Sequence, residues 1–481
     1  MLHPYERRTL TRRGFIGGLA AGLAVSGIPL AYLARKAFRD SPWLAEAVVA
    51  SSATPSAAER MPGPHRGRVV EVHDPAAVNV DHEIDRPTVR AMMDRGMCEF
   101  TGADHPVEAW RSLFTPGEVI GIKVNPVGKG DKSRPHAIGA ISNPEVVLEI
   151  VRNLKAIGIR PQDIVVYERY ASEFVDAGYE KLMGVREMDD VRWMAASSGY
   201  SPMQLAISGV DNRDDHSPEL LKHVAGYDPD AFVHMGFAAP EHSQNDDRRF
   251  RSHLTTIVTR MVDKIITIPV LKDHRSAGVT LSLKNLSHGH NNNVARSHIS
   301  GIAHGYPNSP GNGQDGPNQC NVFIPTAVNQ PLLRQKSTLH ILDGLIAVYE
   351  GGPGAWNKSW GTWRANRLFF ASDPVALDHI GWDIIDSKRV SLGLPRVGEI
   401  GRRDFTPQRQ AHMIASAMHP AGTADALARI AAAEFVRGAG DTEVFDRRTP
   451  EHVVLAGLIG LGEFDLNKIT HKRVMMASGG A

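Results

Sequence analysis

The sequence is poor in cysteine and carries almost no net charge. Only Cys98 and Cys320 occur among its 481 residues, and the formal net charge is +1 at pH 7. Two cysteines are too few to hold an iron–sulfur cluster on thiolates alone, and the sequence leaves open whether they pair in a disulfide. A nearly neutral chain also has no basic field for nucleic acid. We therefore expect no iron–sulfur cluster and no nucleic-acid partner.

Three common catalytic motifs are missing as well. No GxGxxG follows a predicted strand, so we expect no dinucleotide cofactor. No HExxH supplies a tight zinc site, and no GxSxG supplies a nucleophile elbow. The 22 histidines nevertheless leave metal or proton chemistry open.

The N-terminus has the pattern of an export signal. Arg12 and Arg13 stand in a Thr-Arg-Arg-x-Phe-Ile core, followed by an apolar run rich in Gly and Ala. This pattern predicts that residues 1–34 are a twin-arginine signal, read by the twin-arginine translocation machinery, and that the protein is periplasmic or otherwise extracytoplasmic. Residues 15–34 are also about long enough to stay uncleaved as a membrane tether, so the cleavage site stays open. Residues 35–67 are predicted to be a linker.

The rest of the chain alternates apolar strands with helices or loops. This alternation predicts one large α/β domain over residues 68–475, with a largely parallel sheet, flanking helices and a mainly helical C-terminal part. The expected strands are 68–72, 119–124, 163–167, 231–235, 265–269, 338–342 and 368–371. Helices are expected at 88–97, 144–157, 409–418 and 424–436.

The stretch from Lys264 to His290 is the most informative. Lys272 follows an apolar strand that should end at about Pro269, and Lys284 lies in a second apolar run at 279–286. Whether that run is helix or strand, Lys284 falls on its polar side. Two lysines so close to apolar runs are unusual, because a lysine is seldom buried without a partner. We therefore predict catalytic roles for Lys272 and Lys284.

Other polar residues end predicted strands or flank this stretch. Ligands of parallel α/β sheets bind outside the carboxyl ends of the strands, so these residues are candidates for one crevice. The predicted ligand-binding residues are Lys123, Asn125, Glu168, His274, Asn285, Asp343 and Glu350. His288 and His290, which flank Gly289, are candidate ligands of a divalent metal. Asp373 fits better as a helix N-cap, because Pro374 follows it.

Three segments together resemble a known family. They read TIPVLKDHRSAGVTLSLKNLSHG, ILDGLIAVYEGGPG and FFASDPVALDHIGWDII, and they are similar to the domain of unknown function 362 family over roughly residues 119 to 470. The Lys272/Lys284 segment is the most specific part. Some relatives carry ferredoxin-type cysteine motifs, which this chain lacks. The resemblance implies the fold and the location of the site, but no reaction.

These observations favour an exported α/β protein that is an enzyme of unassigned reaction. Its crevice of lysine, histidine and carboxylate side chains is expected to bind an anionic small molecule, and a metal ion beside that molecule is left open. Two alternatives stay open. One is a non-catalytic periplasmic carrier of a ligand or metal, and the other is a membrane-tethered partner of a redox complex.

Overall fold

A computed structural model of the protein describes residues 61–130, 137–199, 205–210, 224–234, 247–274, 277–294, 297, 320–357, 359–397 and 450–476. The predicted signal at 1–34, with its tether, and the predicted helices at 409–418 and 424–436 lie outside these residues. Within them, no helix combines the length and the apolar character that crossing a membrane requires.

Ten strands form one mixed sheet, and two more form a separate hairpin. The strands are β1 (Arg68–His73), β2 (Ile120–Lys123), β3 (Ile164–Tyr170), β4 (Arg192–Ser197), β5 (Tyr227–His234), β6 (Arg251–Thr255), β7 (Lys264–Thr267), β8 (Val270–His274), β9 (Gly278–Val279), β10 (Ser337–Glu350), β11 (Gly361–Ala371) and β12 (Thr470–Met475). The main order is β12-β1-β11-β10-β7-β2-β3-β4, with β8 beside β10 and β9 beside β8.

Most neighbours in the large sheet are parallel. β10, β7, β2, β3 and β4 run in one direction, as do β1 and β12, whereas β11 is antiparallel to both of its neighbours. β5 and β6 pair antiparallel outside this sheet. The α/β prediction with a largely parallel sheet is therefore confirmed.

Helices cover the sheet. They are α1 (Arg86–Thr101), α2 (Pro106–Arg111), α3 (Pro144–Ala156), α4 (Ala171–Asp176), α5 (Leu281–His290), α6 (Cys320–Val328), α7 (Pro331–Lys336), α8 (Pro374–Ser391) and α9 (Glu451–Leu458). Successive strand residues enter different apolar clusters, as with Ile265 and Ile266 of β7. The central strands are therefore buried on both faces, which explains why their sequences are almost entirely apolar.

Two strands, β10 and β12, differ from the predicted elements, and the structure decides one point that the sequence left open. The predicted strand at 338–342 does not end there, because β10 continues through Asp343 to Glu350 and pairs with β11 along that length. The run at 279–286, for which the sequence left helix and strand open, is mostly helix α5. β12 was not predicted, since its sequence is largely polar, and it adds to the sheet by pairing parallel to β1.

Candidate functional site

Lys123 and Glu168 lie at the carboxyl ends of the adjacent strands β2 and β3. The Lys123 ammonium forms an ion pair with Glu168 and donates to Val124 O at 2.7 Å and to Asn285 Oδ1 at 3.2 Å. Lys123 is 1% exposed and Glu168 is 5% exposed. Burial lowers the pKa of Lys123, and the neighbouring Glu168 opposes that shift. Together with Asn285, the pair links the sheet edge to helix α5.

Gly289 allows α5 to lie against this ion pair. A methyl group at position 289 would come within 2.6 Å of Lys123 Cε and 2.9 Å of its Nζ. Contacts that short do not occur, so any larger residue would push Lys123 or the helix away. Gly289 is therefore needed for close packing here rather than for flexibility.

Lys272 is wholly buried near the end of β8. Its ammonium donates to Asn125 Oδ1 at 3.3 Å and to the carbonyl of Val127. Burial lowers the pKa of Lys272 to about 7, and the charge of Lys284 adds to that shift. No carboxylate of the described residues forms an ion pair with Lys272. Among the described residues its partners are two neutral oxygens, which take up two of its three N–H groups.

Lys284 approaches from helix α5 and is 8% exposed. Burial lowers its pKa to about 8, while Cys320 raises it and Arg169 lowers it. The structure thus brings Lys272 and Lys284 close enough for the charge of one to act on the other. We use the name lysine cluster for the group Lys123, Lys272, Lys284, Asn125, Asn285, Glu168, Arg169 and Glu173.

Arg169 and Glu173 belong to the lysine cluster but were not predicted from the sequence. β3 runs on to Tyr170, and Arg169 donates from Nη1 to His288 O at 2.9 Å. Glu173 follows in α4, where burial and the neighbouring Glu168 raise its pKa to about 7. Glu173 Oε2 has no hydrogen-bond partner among the described residues. The sequence feature that could have indicated Arg169 and Glu173 is that they follow closely after Glu168.

Helix α5, which carries Lys284 and Asn285, is held at its first turn by helix α8. The Asp378 carboxylate accepts the backbone N–H of Ser282 at 2.7 Å and that of Leu283 at 2.9 Å. Thr280 precedes the helix but makes no side-chain cap. Asp378 therefore acts as a cap supplied from another helix.

We expect Asp378→Ala to lower the free energy of unfolding by about 2 kcal/mol or more, because it leaves two buried N–H groups unpaired. Urea unfolding measures this change. Asp383→Ala, on the same helix but only half-buried, is the control and should change stability by less than about 0.5 kcal/mol. Equal effects of the two substitutions would contradict the capping role.

His288 and His290 do not face an open coordination position. His288 Nδ1 bonds Ser287 Oγ at 3.0 Å and its Nε2 bonds Ser297 Oγ at 2.8 Å. His290 Nδ1 bonds Leu286 O at 2.7 Å and its Nε2 bonds the Tyr167 hydroxyl at 2.7 Å. The described part of the chain contains no group of three or more His, Cys, Asp or Glu side chains arranged to hold a metal. Each of these ring nitrogens therefore has a hydrogen-bond partner within the described residues, and the assignment of His288 and His290 as metal ligands stays a prediction.

Asp343 lies inside β10, not at a strand end as predicted. Its carboxylate accepts the backbone N–H of Asn143 at 2.7 Å, the Asn143 side chain at 2.9 Å and the N–H of Leu345 at 3.0 Å. Asn143 is the residue before helix α3. Asp343 therefore fastens the start of that helix to the sheet and does not belong to the group of lysines described above.

Glu350 and His274 are also occupied by other contacts. Glu350, at the end of β10, forms an ion pair with the buried Arg389 of α8. His274 Nδ1 accepts the backbone N–H of Ala277 at 3.1 Å, within the β8–β9 turn. Of the predicted site residues, the structure brings together Lys272, Lys284, Lys123, Asn125, Glu168 and Asn285 in the lysine cluster.

Comparisons with known proteins give a family but no activity. No functionally curated protein matches the chain. One solved structure, a crystal structure of a protein from Thermotoga maritima, is similar to it with 13% sequence identity and a TM-score of 0.35. That alignment covers 65% of this chain and 60% of the other. The model of the family described as "Domain of unknown function (DUF362)" matches residues 120–383. This match spans β2 to α8, including every member of the lysine cluster, and the chain therefore belongs to the DUF362 family.

Proposed function

We propose that the lysine cluster binds an anionic small molecule and that Lys272 and Lys284 take part in its chemistry. The observation that carries this proposal is the buried ammonium of Lys272, which within the described part of the chain contacts only neutral oxygens and lies near a second buried lysine. Two such charges are costly inside a protein unless an anion compensates them. A bound carboxylate or phosphate supplies that compensation.

The balance of charge in the lysine cluster supports the same proposal. Lys123 is matched by Glu168, and burial holds the pKa of Glu173 near 7, so that this carboxyl is only partly ionised at neutral pH. Arg169 adds a further positive charge, and no carboxylate of the described residues forms an ion pair with Lys272. An anionic ligand would compensate this charge.

The two lysines also suit proton transfer or nucleophilic attack. An ordinary lysine is protonated at neutral pH, whereas pKa values of about 7 and about 8 leave a substantial neutral fraction of Lys272 and Lys284. A neutral amine can act as a general base or a nucleophile. This is the reason for proposing an enzyme rather than a carrier.

The pH dependence of binding tests the anion site. Binding favours the protonated lysines, so the affinity for sulfate or succinate should fall as pH rises through about 7 to 8, by up to tenfold per unit for each proton taken up. Calorimetric titration between pH 7 and 9 measures this, because both probes are almost fully ionised there. Affinity that does not vary with pH would contradict the assignment.

In the unliganded protein, the free energy of unfolding should rise with pH, in contrast to the anion affinity, which falls. The two lysines titrate near 10.5 when unfolded but near 7 and 8 when folded. The unfolded state therefore binds more protons between about pH 7 and 10, and the free energy of unfolding contributed by these groups should rise with pH over that window. Urea unfolding at several pH values, with Lys272→Met as the control that loses part of the slope, follows this effect.

We also propose that the protein is exported by the twin-arginine route, on the basis of Arg12 and Arg13. Arg12→Lys together with Arg13→Lys should leave the precursor in the cytoplasm, because the arginine pair identifies the route. Cell fractionation with an antibody against the chain measures this. Lysine substitution of Arg7 and Arg8, which precede the motif, is the matched control and should not block export. Normal periplasmic accumulation of the Arg12/Arg13 double variant would exclude the route.

A further inference from the structure

A buried histidine outside the lysine cluster has one ring nitrogen without a partner. His452 lies in the first turn of helix α9 and is 0% exposed. Its Nδ1 lies 3.2 Å from Asn321 Oδ1, which also accepts the backbone N–H of His452 at 3.3 Å. Its Nε2 has no hydrogen-bond partner among the residues that the structure describes. Unpaired buried nitrogens are rare and call for an explanation.

The neighbouring residues fix which nitrogen carries the proton. The Asn321 amide nitrogen donates to the Glu451 carboxylate, so the Asn321 oxygen is the atom that faces His452. An oxygen acceptor requires that Nδ1 carry the hydrogen. Nε2 therefore presents a lone pair and can only accept.

His452 stays neutral over the physiological range. Burial and the charge of Lys284 lower its pKa to about 3. Lys284 is therefore close enough to act on the His452 ring, as it also acts on Lys272. The helices agree with this placement, since Leu283 and Leu286 of α5 pack in one apolar cluster with Val453 and Ala456 of α9. His452 and Lys284 thus lie on helices that share one apolar cluster.

A second unpaired atom has the opposite character. Asn285 is 5% exposed, and its Oδ1 accepts from Lys123, which leaves Nδ2 as a buried donor without a partner among the described residues. The described residues therefore include an unused buried donor at Asn285 and an unused buried acceptor at His452. A simple anion has acceptors only, and it would leave the His452 nitrogen unpaired.

We propose that the anion bound by the lysine cluster carries a hydroxyl group, and that His452 Nε2 accepts a hydrogen bond from this hydroxyl. The ligand class is a hydroxy-substituted carboxylate or phosphate ester, held by the lysines and Asn285 at its anionic end. His452 is then a specificity-determining residue. This inference rests on the proposed function. A site built to pair a ligand hydroxyl discriminates strongly against the analogue that lacks it, because the buried partner is then left unsatisfied.

Matched pairs of probes test the inference on the full chain. Malate and succinate differ by one hydroxyl, and glycerol 3-phosphate and propyl phosphate differ by two. We expect the hydroxylated member of at least one pair to bind about tenfold or more tightly in calorimetric titration. His452→Phe should remove this preference and leave the affinity for succinate or propyl phosphate nearly unchanged. Sulfate serves as the reference anion.

Nitrogen NMR of the wild-type protein keeps the test independent of how well the variant folds. The His452 ring should show a protonated Nδ1 and an unprotonated Nε2, and malate or glycerol 3-phosphate should shift the Nε2 resonance whereas sulfate should not. His452→Gln assigns the signal.

The outcomes separate this inference from the proposed function. Equal affinity for both members of both pairs, or an Nε2 resonance that does not respond, overturns the hydroxyl inference and leaves the anion site standing. Binding of sulfate alone also overturns it. If neither sulfate nor any other probe binds, the proposed function itself is contradicted, and the hydroxyl inference fails with it.

Discussion

Lys272→Met should weaken the binding of sulfate or succinate by tenfold or more. A charge-assisted hydrogen bond contributes roughly 1.5–3 kcal/mol, and methionine keeps the aliphatic length while removing the charge. The same change should leave the free energy of unfolding unchanged or raise it. Burial already lowers the pKa of Lys272 to about 7, so the protonated amine destabilises the unliganded fold. Calorimetric titration and urea unfolding measure the two effects.

Lys264→Met is the matched control for this prediction. Lys264 is also buried, at 7% exposure, but it is the first residue of β7 and so lies at the amino ends of the parallel strands, away from the lysine cluster. There it pairs with Glu118 at 2.8 Å and donates to Leu113 O at 2.6 Å. Its replacement should not change anion affinity. Lys284→Met should act like Lys272→Met, and the double variant should be non-additive if both contact one anion. Equal loss of affinity in Lys264→Met and Lys272→Met would contradict the site.

Glu168→Gln should destabilise the protein by about 3–5 kcal/mol, because it leaves the ammonium of Lys123 in the interior without its carboxylate. The ion pair has side-chain exposures of 2% and 6%, so water cannot replace the lost partner. Urea unfolding at pH 7 measures the change. Lys123→Met in the Glu168→Gln background should recover part of the loss, since it removes the unpaired charge.

Asp176→Asn is the control for this second prediction. It breaks the Lys129–Asp176 pair, whose side chains are 31% and 55% exposed, and exposed pairs of this kind contribute at most about 1 kcal/mol. If Glu168→Gln costs no more than Asp176→Asn, the Lys123–Glu168 pair does not hold the site together.

The fold followed from local patterns because buried parallel strands are nearly continuous apolar runs. Short stretches of sequence were enough to predict β2, β7 and the start of a helix at Asp373. Asp373 accepts the N–H groups of Val375 and Ala376, which confirms its prediction as an N-cap. The polar ends of β2 and β3 marked Lys123 and Glu168 in the same way, since a charged residue after a buried run is conspicuous in one sequence.

The remaining features depend on contacts between distant residues. Asp343 looked like a strand end, yet Asn143, 200 residues away in sequence, takes up its carboxylate. The sequence around Glu350 is typical of a ligand loop, but it does not reveal the ion pair that Glu350 forms with Arg389. Asp378 of α8 caps α5, and the charge of Lys284 in α5 lowers the pKa of His452 in α9, yet no local pattern indicates which helices will meet.

The most direct test of the anion site is anomalous diffraction from crystals soaked in selenate, a sulfate analogue whose selenium can be located without ambiguity. Our account predicts a selenium peak within hydrogen-bonding reach of the ammonium of Lys272 or Lys284, and its loss in Lys272→Met crystals. Selenate peaks confined to the surface, with none at these two lysines, would contradict it.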